Sequence, residues 1–411
     1  MTAIFFVLAT GEKVSQGSGQ WAVASGQWAV VGGQFSWNGR GRFELITAHY
    51  PLTTALRPEL LRYNQSSMEI AAQDEAADAV DLRGEFHALV SRCGIYRLDR
   101  AQIALTGSDR VRWLNGMVTN NVRDLAAGHG VYAFLLNPQG KIQADLYAFN
   151  RGESLIVETE SAQVETVLQI FDHYIIMDDV EVENLMGKVA VIGVAGEKSE
   201  AVLDAAIGPQ EIQGQGRGIL EFAAAKWGGV EVTLVRGDNP PVPNYEIWVA
   251  PEHAEAVWNS LIKAGAEEVH ADALEELRIA CGIPKFGQDI RPRDLPQETG
   301  QERALNFTKG CYVGQEIVER IRSRGAVHRM LTGFEIEGTP LAPGFRIQDD
   351  GKDVAEITSV ATVPVETGER ILALGYGRRE VMLPGKEFVV GETKIRVAGL
   401  PFSGIFPGSG A

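Results

Sequence analysis

The residues best equipped for chemistry lie in one run, Lys309-Gly310-Cys311-Tyr312-Val313-Gly314-Gln315-Glu316. A cysteine acts as nucleophile or metal ligand through its thiolate, which a nearby cation and the positive end of a helix both favour. Lys309 precedes Cys311 by two residues. Ile317, Val318 and Ile321, with the i,i+4 pair Glu316 and Arg320, predict a helix starting just beyond it. Gly310 and Gly314 flank the thiol at distances that permit a tight turn and close backbone approach. On spacing alone, a reactive thiolate and a cysteine packed as a small hydrophobe are equally open. Cys93 and Cys281 lack such neighbours and read as packing residues. The chain has 3 cysteines and no CxxC pair. That is too few for a disulfide framework or for the roughly four thiolates of a stable cluster. No metal site is expected, and any cluster chemistry would be transient or shared with a partner.

The elements that must hold this run begin near Arg83. Glu85–Arg92 reads as a helix, Gln102–Thr106 as a strand and Ser108–Asn115 as a helix capped by Ser108. Val131–Leu136 and Ile142–Phe149 read as strands joined by the turn Asn137-Pro138-Gln139-Gly140, where proline fixes φ and glycine accepts a positive one. Ser154–Glu158 continues the sheet and Ala162–His173 is an amphipathic helix. After the strand-rich stretch Val180–Val194 come helices over Glu197–Ala205, Glu252–Ala264 and Asp272–Ala280, with strands Val230–Val235 and Glu246–Val249 among them. Short strands mixed with helices, without regular β–α alternation, predict α+β subdomains. From Leu331 onward, short strands between glycine and proline turns predict a small β-barrel.

The expected organisation is therefore a low-complexity, disordered extension over 1–80, α+β subdomains over 81–327 and a barrel over 328–411. The extension repeats Ser18–Val23 (SGQWAV) at Ser25–Val30 and buries too little apolar surface to offset its ordering entropy. Across 411 residues, 38 Lys+Arg against 54 Asp+Glu give a net charge of −16. That balance argues against nucleic acid or anionic membrane as a partner. The early apolar run Ile4–Ala9 falls far short of the roughly 20 residues of a spanning helix. No GxGxxG or Walker A pattern occurs. A cytoplasmic protein is expected.

The run from Lys309 to Glu316, with Arg320, Gly325 and Arg329 behind it, resembles the KGCYxGQE signature of the YgfZ family of folate-binding proteins, relatives of the glycine-cleavage T-protein. Supporting segments stand in order: Leu105–Asp109 with Thr119–Val122, Asn137–Leu146, and Leu277-Arg278-Ile279 with Gly282-Ile283-Pro284. The resemblance spans roughly residues 83 to 405. It implies three subdomains in a ring around a tetrahydrofolate site, and a role in assembly or repair of iron–sulfur clusters in which Cys311 is the motif cysteine. Its implied partners are iron–sulfur enzymes or cluster-assembly proteins. Carried over, the T-protein's folate-facing aspartate is Asp145 and its GYEI glutamate is Glu246. Two departures stand out: Ala144 replaces the first acid of Asp-Asp-Leu, and Ala280 replaces the glutamate of LRxEAG.

Folate asks for a carboxylate to meet its ring N–H donors, an aromatic platform and a cation for its acidic tail. Asp145 or Glu246 suits the first, Phe149 on the same strand face as Asp145 the second, and Arg278 the third. Solvated acids, a core phenylalanine and a surface arginine are the alternatives. Three functions are compatible with these residues. The first is tetrahydrofolate-linked iron–sulfur maturation through Cys311, with Lys309 holding charge beside it and Gly310 and Gly314 shaping the turn. The second is a folate-dependent aminomethyl or one-carbon transferase, with Asp145 orienting or deprotonating the folate amine. The third is a folate-binding scaffold with a structural cysteine. Arg320, Arg322, Arg324 and Arg329 further suggest a basic patch.

Overall fold

The computed structural model describes residues 81–208, 218–238, 241–325 and 327–406. In backbone only, it also describes Arg324, Ile212–Gln213 and short strands between Phe6 and Ala48. The expected disorder of residues 1–80 falls outside the described residues. Met1–Val80 and Asp81–Ala411 are separate compact units, and three sheets build the second.

The first sheet has five antiparallel strands in the spatial order Glu181–Asn184, Arg100–Thr106, Leu155–Glu160, Ile142–Asn150 and Gly130–Leu136. Period-2 alternation divides its faces. Ala144, Leu146, Ala148, Leu155 and Val157 pack with Trp113, Leu114 and Phe171 from helices Arg110–Met117 and Val164–Tyr174. Asp145, Tyr147, Phe149, Ile156, Glu158 and Glu160 therefore face the other way.

The second sheet has seven strands. Its centre is Val230–Arg236, Asn244–Val249, Ala190–Ala195 and Gly94–Leu98. Tyr245, Ile247 and Val249 bury against helices Ser199–Ile207 and Pro251–Lys263, which turns Glu246 and Trp248 toward the first sheet. The two sheets meet through Phe149, Ile156, Val191, Val235 and Trp248. The third sheet, six strands running from Arg329 to Ala398, curls until its edges Arg346–Asp349 and Glu387–Val390 approach. An Asp349–Lys386 ion pair of 2.5 Å spans those edges, nearly closing the barrel expected there.

One local expectation differs, and one strand was not read from the sequence. Helix Arg110–Met117 begins after Ser108, because the Ser108 amide and hydroxyl are held by Asp179 at 2.9 and 2.7 Å; Asp109 occupies the cap position. Strand Gly94–Leu98 lies inside the second sheet, although it precedes the first sheet in sequence. Its partners, Ala190–Ala195 and the parallel Glu267–Glu268, come from distant segments, so local periodicity gives little sign of it. Among the described residues no helix is long and apolar enough to cross a membrane.

Candidate functional site

A cavity of about 250 Å³ opens where the two sheets diverge, bounded below by helix Ala271–Ala280 and the loop that follows it. Asp145, Phe149, Glu246 and Arg278, the four residues expected to hold folate, all line it, together with Tyr96, Arg100, Tyr147, Glu158, Glu160, Lys285 and Arg303. Asp145 and Glu246 are 101 positions apart and reach it from facing sheets.

The Asp145 carboxylate is oriented from both sides. Tyr132 donates its hydroxyl to Oδ2 at 2.7 Å, and Gln163 donates Nε2–H to Oδ1 at 2.8 Å. Both carboxylate oxygens keep lone pairs toward the cavity. Burial, then the Asp145 charge, drives the Tyr132 phenol well above its ordinary range, so it stays a donor.

On the facing sheet, Gly193 pairs with Glu246 on one side and Tyr96 on the other. A Cβ at Gly193 would stand 2.1 Å from the Tyr96 ring, so only glycine lets that ring lie across the strand beside Glu246. Trp248 donates Nε1–H to Glu246 Oε2 at 3.2 Å.

Glu158 and Arg100 were not singled out by sequence, yet they form the centre of this wall. Glu158 is fully buried and takes an N–H from Gln102 at 2.8 Å. Burial first, then Glu246, pushes its carboxyl well above the usual range. Burial pulls the Arg100 guanidinium down, but Glu246 and Glu158 outweigh it and hold the group charged. The available signal was Ile156-Glu158-Glu160 alternating against Leu155-Val157, which puts acids on a face that a second sheet covers.

Phe149 is only 2% exposed and packs edge-on to Trp248 at 5.0 Å. It therefore offers the cavity little surface, and Tyr147 and Tyr96 line the cavity beside it. Arg278 also departs from its expected role. Its Nε and Nη2 bond Glu275, its Nη1 bonds the Ile283 carbonyl and Asp289 at 2.6 and 2.7 Å, and its Nη2 also bonds Ser359 at 2.9 Å. With all five N–H groups engaged, it ties the helix and its loop to the barrel and has none left for a folate tail. Lys285 stands exposed at the cavity rim and in no ion pair among the described residues.

The Lys309–Glu316 run lies outside the cavity lining. Cys311 is exposed there, whereas Cys93 and Cys281 are buried, and burial first, then Glu267, pushes the Cys93 thiol up to about 12. The expected charge beside Cys311 is not supplied by Lys309. That side chain is 6% exposed, and its ammonium donates to the carbonyls of Asn115, Val118 and Asn120 at 2.5, 2.6 and 2.8 Å. The carbonyls left open at the end of helix Arg110–Met117 attract a cation. Burial, with Arg123 adding to it, pulls Lys309 down to about 7.

Gly314 does shape the loop: its φ is +81°, and a Cβ would meet the Asn137 carbonyl oxygen at 2.6 Å. Gly310 has open space around it and no such constraint. Tyr312 is buried with Phe134, Ile290 and Val318, Gln315 opens helix Gln315–Arg324, and Glu316 is exposed in its first turn. Of the suggested basic patch, Arg329 turns inward to Asp294 and Glu298 at 2.5 and 3.1 Å, Arg320 and Arg322 stay exposed with the Arg322 guanidinium 4.5 Å from the Phe307 ring centre, and the Arg324 side chain lies outside the described residues.

Residues 58–309 match the family described as GCVT N-terminal domain. An aminomethyltransferase of Rubrobacter xylanophilus is 26% identical over 340 residues, covering 82% of this chain and 90% of that protein. An aminomethyltransferase of Streptomyces coelicolor is 27% identical over 322 residues, covering 75% and 84%. The crystal structure of glycine cleavage system aminomethyltransferase T from Bartonella henselae superposes with a TM-score of 0.69 at 19% identity, covering 80% of this chain and 91% of that one; the two share their fold.

Proposed function

The chain belongs to the GCVT N-terminal domain family, and from that premise we propose that it binds tetrahydrofolate between its two sheets and acts as a folate-dependent one-carbon transferase of the aminomethyltransferase type. One observation carries this reading: Asp145 and Glu246 converge on a single cavity together with tyrosine rings and the rim cation Lys285. The donor set suits the cofactor. Glu246 offers paired acceptors to ring N–H groups, Tyr147 and Tyr96 offer flat apolar faces, and Lys285 offers charge to a carboxylate tail. Bound tetrahydrofolate would supply secondary-amine nitrogens that accept a one-carbon unit. Asp145, held by Tyr132 and Gln163, would orient such an amine and take its proton on a carboxylate oxygen. Packing of the sheets through Phe149 and Trp248 limits the entry of water.

The test is titration of 5-formyltetrahydrofolate, followed by turnover with a lipoyl-protein aminomethyl donor. Asp145→Asn should keep binding and lose roughly 10²- to 10⁴-fold in rate. Equal turnover by this variant would remove Asp145 from the chemistry.

A second reading, YgfZ-type support of iron–sulfur assembly or repair, is favoured by the exposure of Cys311 on its motif loop. In that reading the thiol meets iron–sulfur enzymes or cluster-assembly proteins, and the cavity holds folate without needing to turn it over. Activity of an iron–sulfur enzyme in cells lacking the gene, restored by the normal protein but not by Cys311→Ala, would select it. Restoration by both would exclude the thiol.

A further inference from the structure

Facing Glu246 across the cavity, on the first sheet, is a second carboxyl that neither the resemblance nor the relatives assign, Glu158. Glu158 has no exposed surface, and its Oε1 meets no hydrogen-bond donor. Its other oxygen is already engaged by Gln102 at 2.8 Å. Its neighbour across the sheet interface is Glu246, which lines the same cavity and takes the indole N–H of Trp248 at 3.2 Å. Two neighbouring carboxylates, one fully buried and the other partly open to the cavity, repel, and the pair is relieved when one holds a proton and donates it to the other. The fully buried member gains most from being neutral, since desolvation penalises charge. Glu246, partly open to the cavity, is placed to keep the negative charge beside the Arg100 guanidinium.

We propose that Glu158 is a neutral acid whose O–H donates to the Glu246 carboxylate, and that this bond and the Trp248 N–H fix Glu246 to receive two parallel ring N–H donors of a reduced pterin. Glu158 is thus a positioning residue acting through Glu246. The proposal rests on the folate reading for its ligand, and the placement of the proton can be examined without any ligand. The charged and titratable groups around Glu158 are Glu246 and Arg100, with Tyr147 and Glu160 reached through Arg100.

Glutamine reproduces a neutral glutamate: Glu158→Gln keeps an acceptor for Gln102 and an N–H donor for Glu246. Leucine keeps the volume and removes both. Calorimetric titration with 5-formyltetrahydrofolate should therefore give Glu158→Gln an affinity within about threefold of the normal protein. Glu158→Leu should lose roughly ten- to a hundredfold, the range for a hydrogen bond to a charged group. As pH rises through the raised titration of Glu158, affinity of the normal protein should fall as the shared proton is lost, while that of Glu158→Gln should hold. In the ligand-free protein, the infrared difference between normal and Glu158→Gln forms should show a neutral-carboxyl stretch. Absence of that band, tight binding by Glu158→Leu, or equal loss in Glu158→Gln would overturn the proposal. If the normal protein takes up no reduced folate, the folate reading fails and the infrared result still decides where the proton sits.

Discussion

Replacing Arg278 by methionine separates a folate-tail cation from a structural tie. Arg278 pairs at 2.7 Å with Asp289, a carboxylate with no exposed side-chain surface. Asp289 also receives the Lys285 amide at 2.9 Å, the Ser359 hydroxyl at 2.7 Å and the Thr358 hydroxyl. Methionine fills the space of the arginine stem and leaves Asp289 charged, buried and without a counter-ion. Breaking a buried pair in this way costs about 3–5 kcal/mol. At about 2.1 cal/mol/K per residue, a unit the size of Asp81–Ala411 shifts by about 1.4 °C per kcal/mol, so Tm should fall by about 4–7 °C. The assay is urea unfolding followed by tryptophan fluorescence and circular dichroism, together with titration of 5-formyltetrahydrofolate. Asp289→Asn in the same background should recover part of the loss, because removing both charges costs less than removing one. A loss below about 1 kcal/mol, joined to a tenfold or greater loss of folate affinity, would refute the structural assignment and return Arg278 to the folate tail.

Glu276 is 8% exposed, its Oε2 lacks a hydrogen-bond partner, and burial, then Asp272, pushes its carboxyl from 4.5 up to about 7. Between those values the folded chain binds more protons than the unfolded one, so stability falls as pH rises through this window. Glu276→Gln should raise stability near pH 8 by at most about 3 kcal/mol and leave it little changed near pH 4; chemical denaturation at the two pH values checks this. Gly314→Ala should cost about 1–3 kcal/mol through its positive φ and the contact with Asn137, whereas Gly310→Ala should stay within about 0.5 kcal/mol, as thermal melts will read. An aromatic disulfide reagent should modify Cys311 at once, and Cys93 and Cys281 only at the rate of unfolding; simultaneous reaction of all three would contradict the burial pattern.

Local sequence carried the information that local physics fixes. Alternation placed Asp145, Tyr147 and Phe149 on one strand face, the Asn137–Gly140 turn joined the two strands, and glycine and proline punctuation marked the short strands of the barrel. The motif loop was also legible, and the resemblance named Asp145 and Glu246, which line one cavity, whereas Glu158 and Arg100 were not read from sequence. Other properties depended on distant segments. Strand Gly94–Leu98 belongs to the second sheet because Ala190–Ala195 pairs with it. Lys309 turns away from Cys311 because the carbonyls of Asn115, Val118 and Asn120 lie within its reach, about 190 residues back in the chain. Arg278 is spent because Asp289 and a barrel serine close on it. Glu158 looks in sequence like any strand acid, and only the second sheet folding over it removes its water and sets Glu246 beside it. Residue type and spacing determine which groups can do chemistry, while charge state and availability depend on desolvation and partners, which the tertiary structure alone decides.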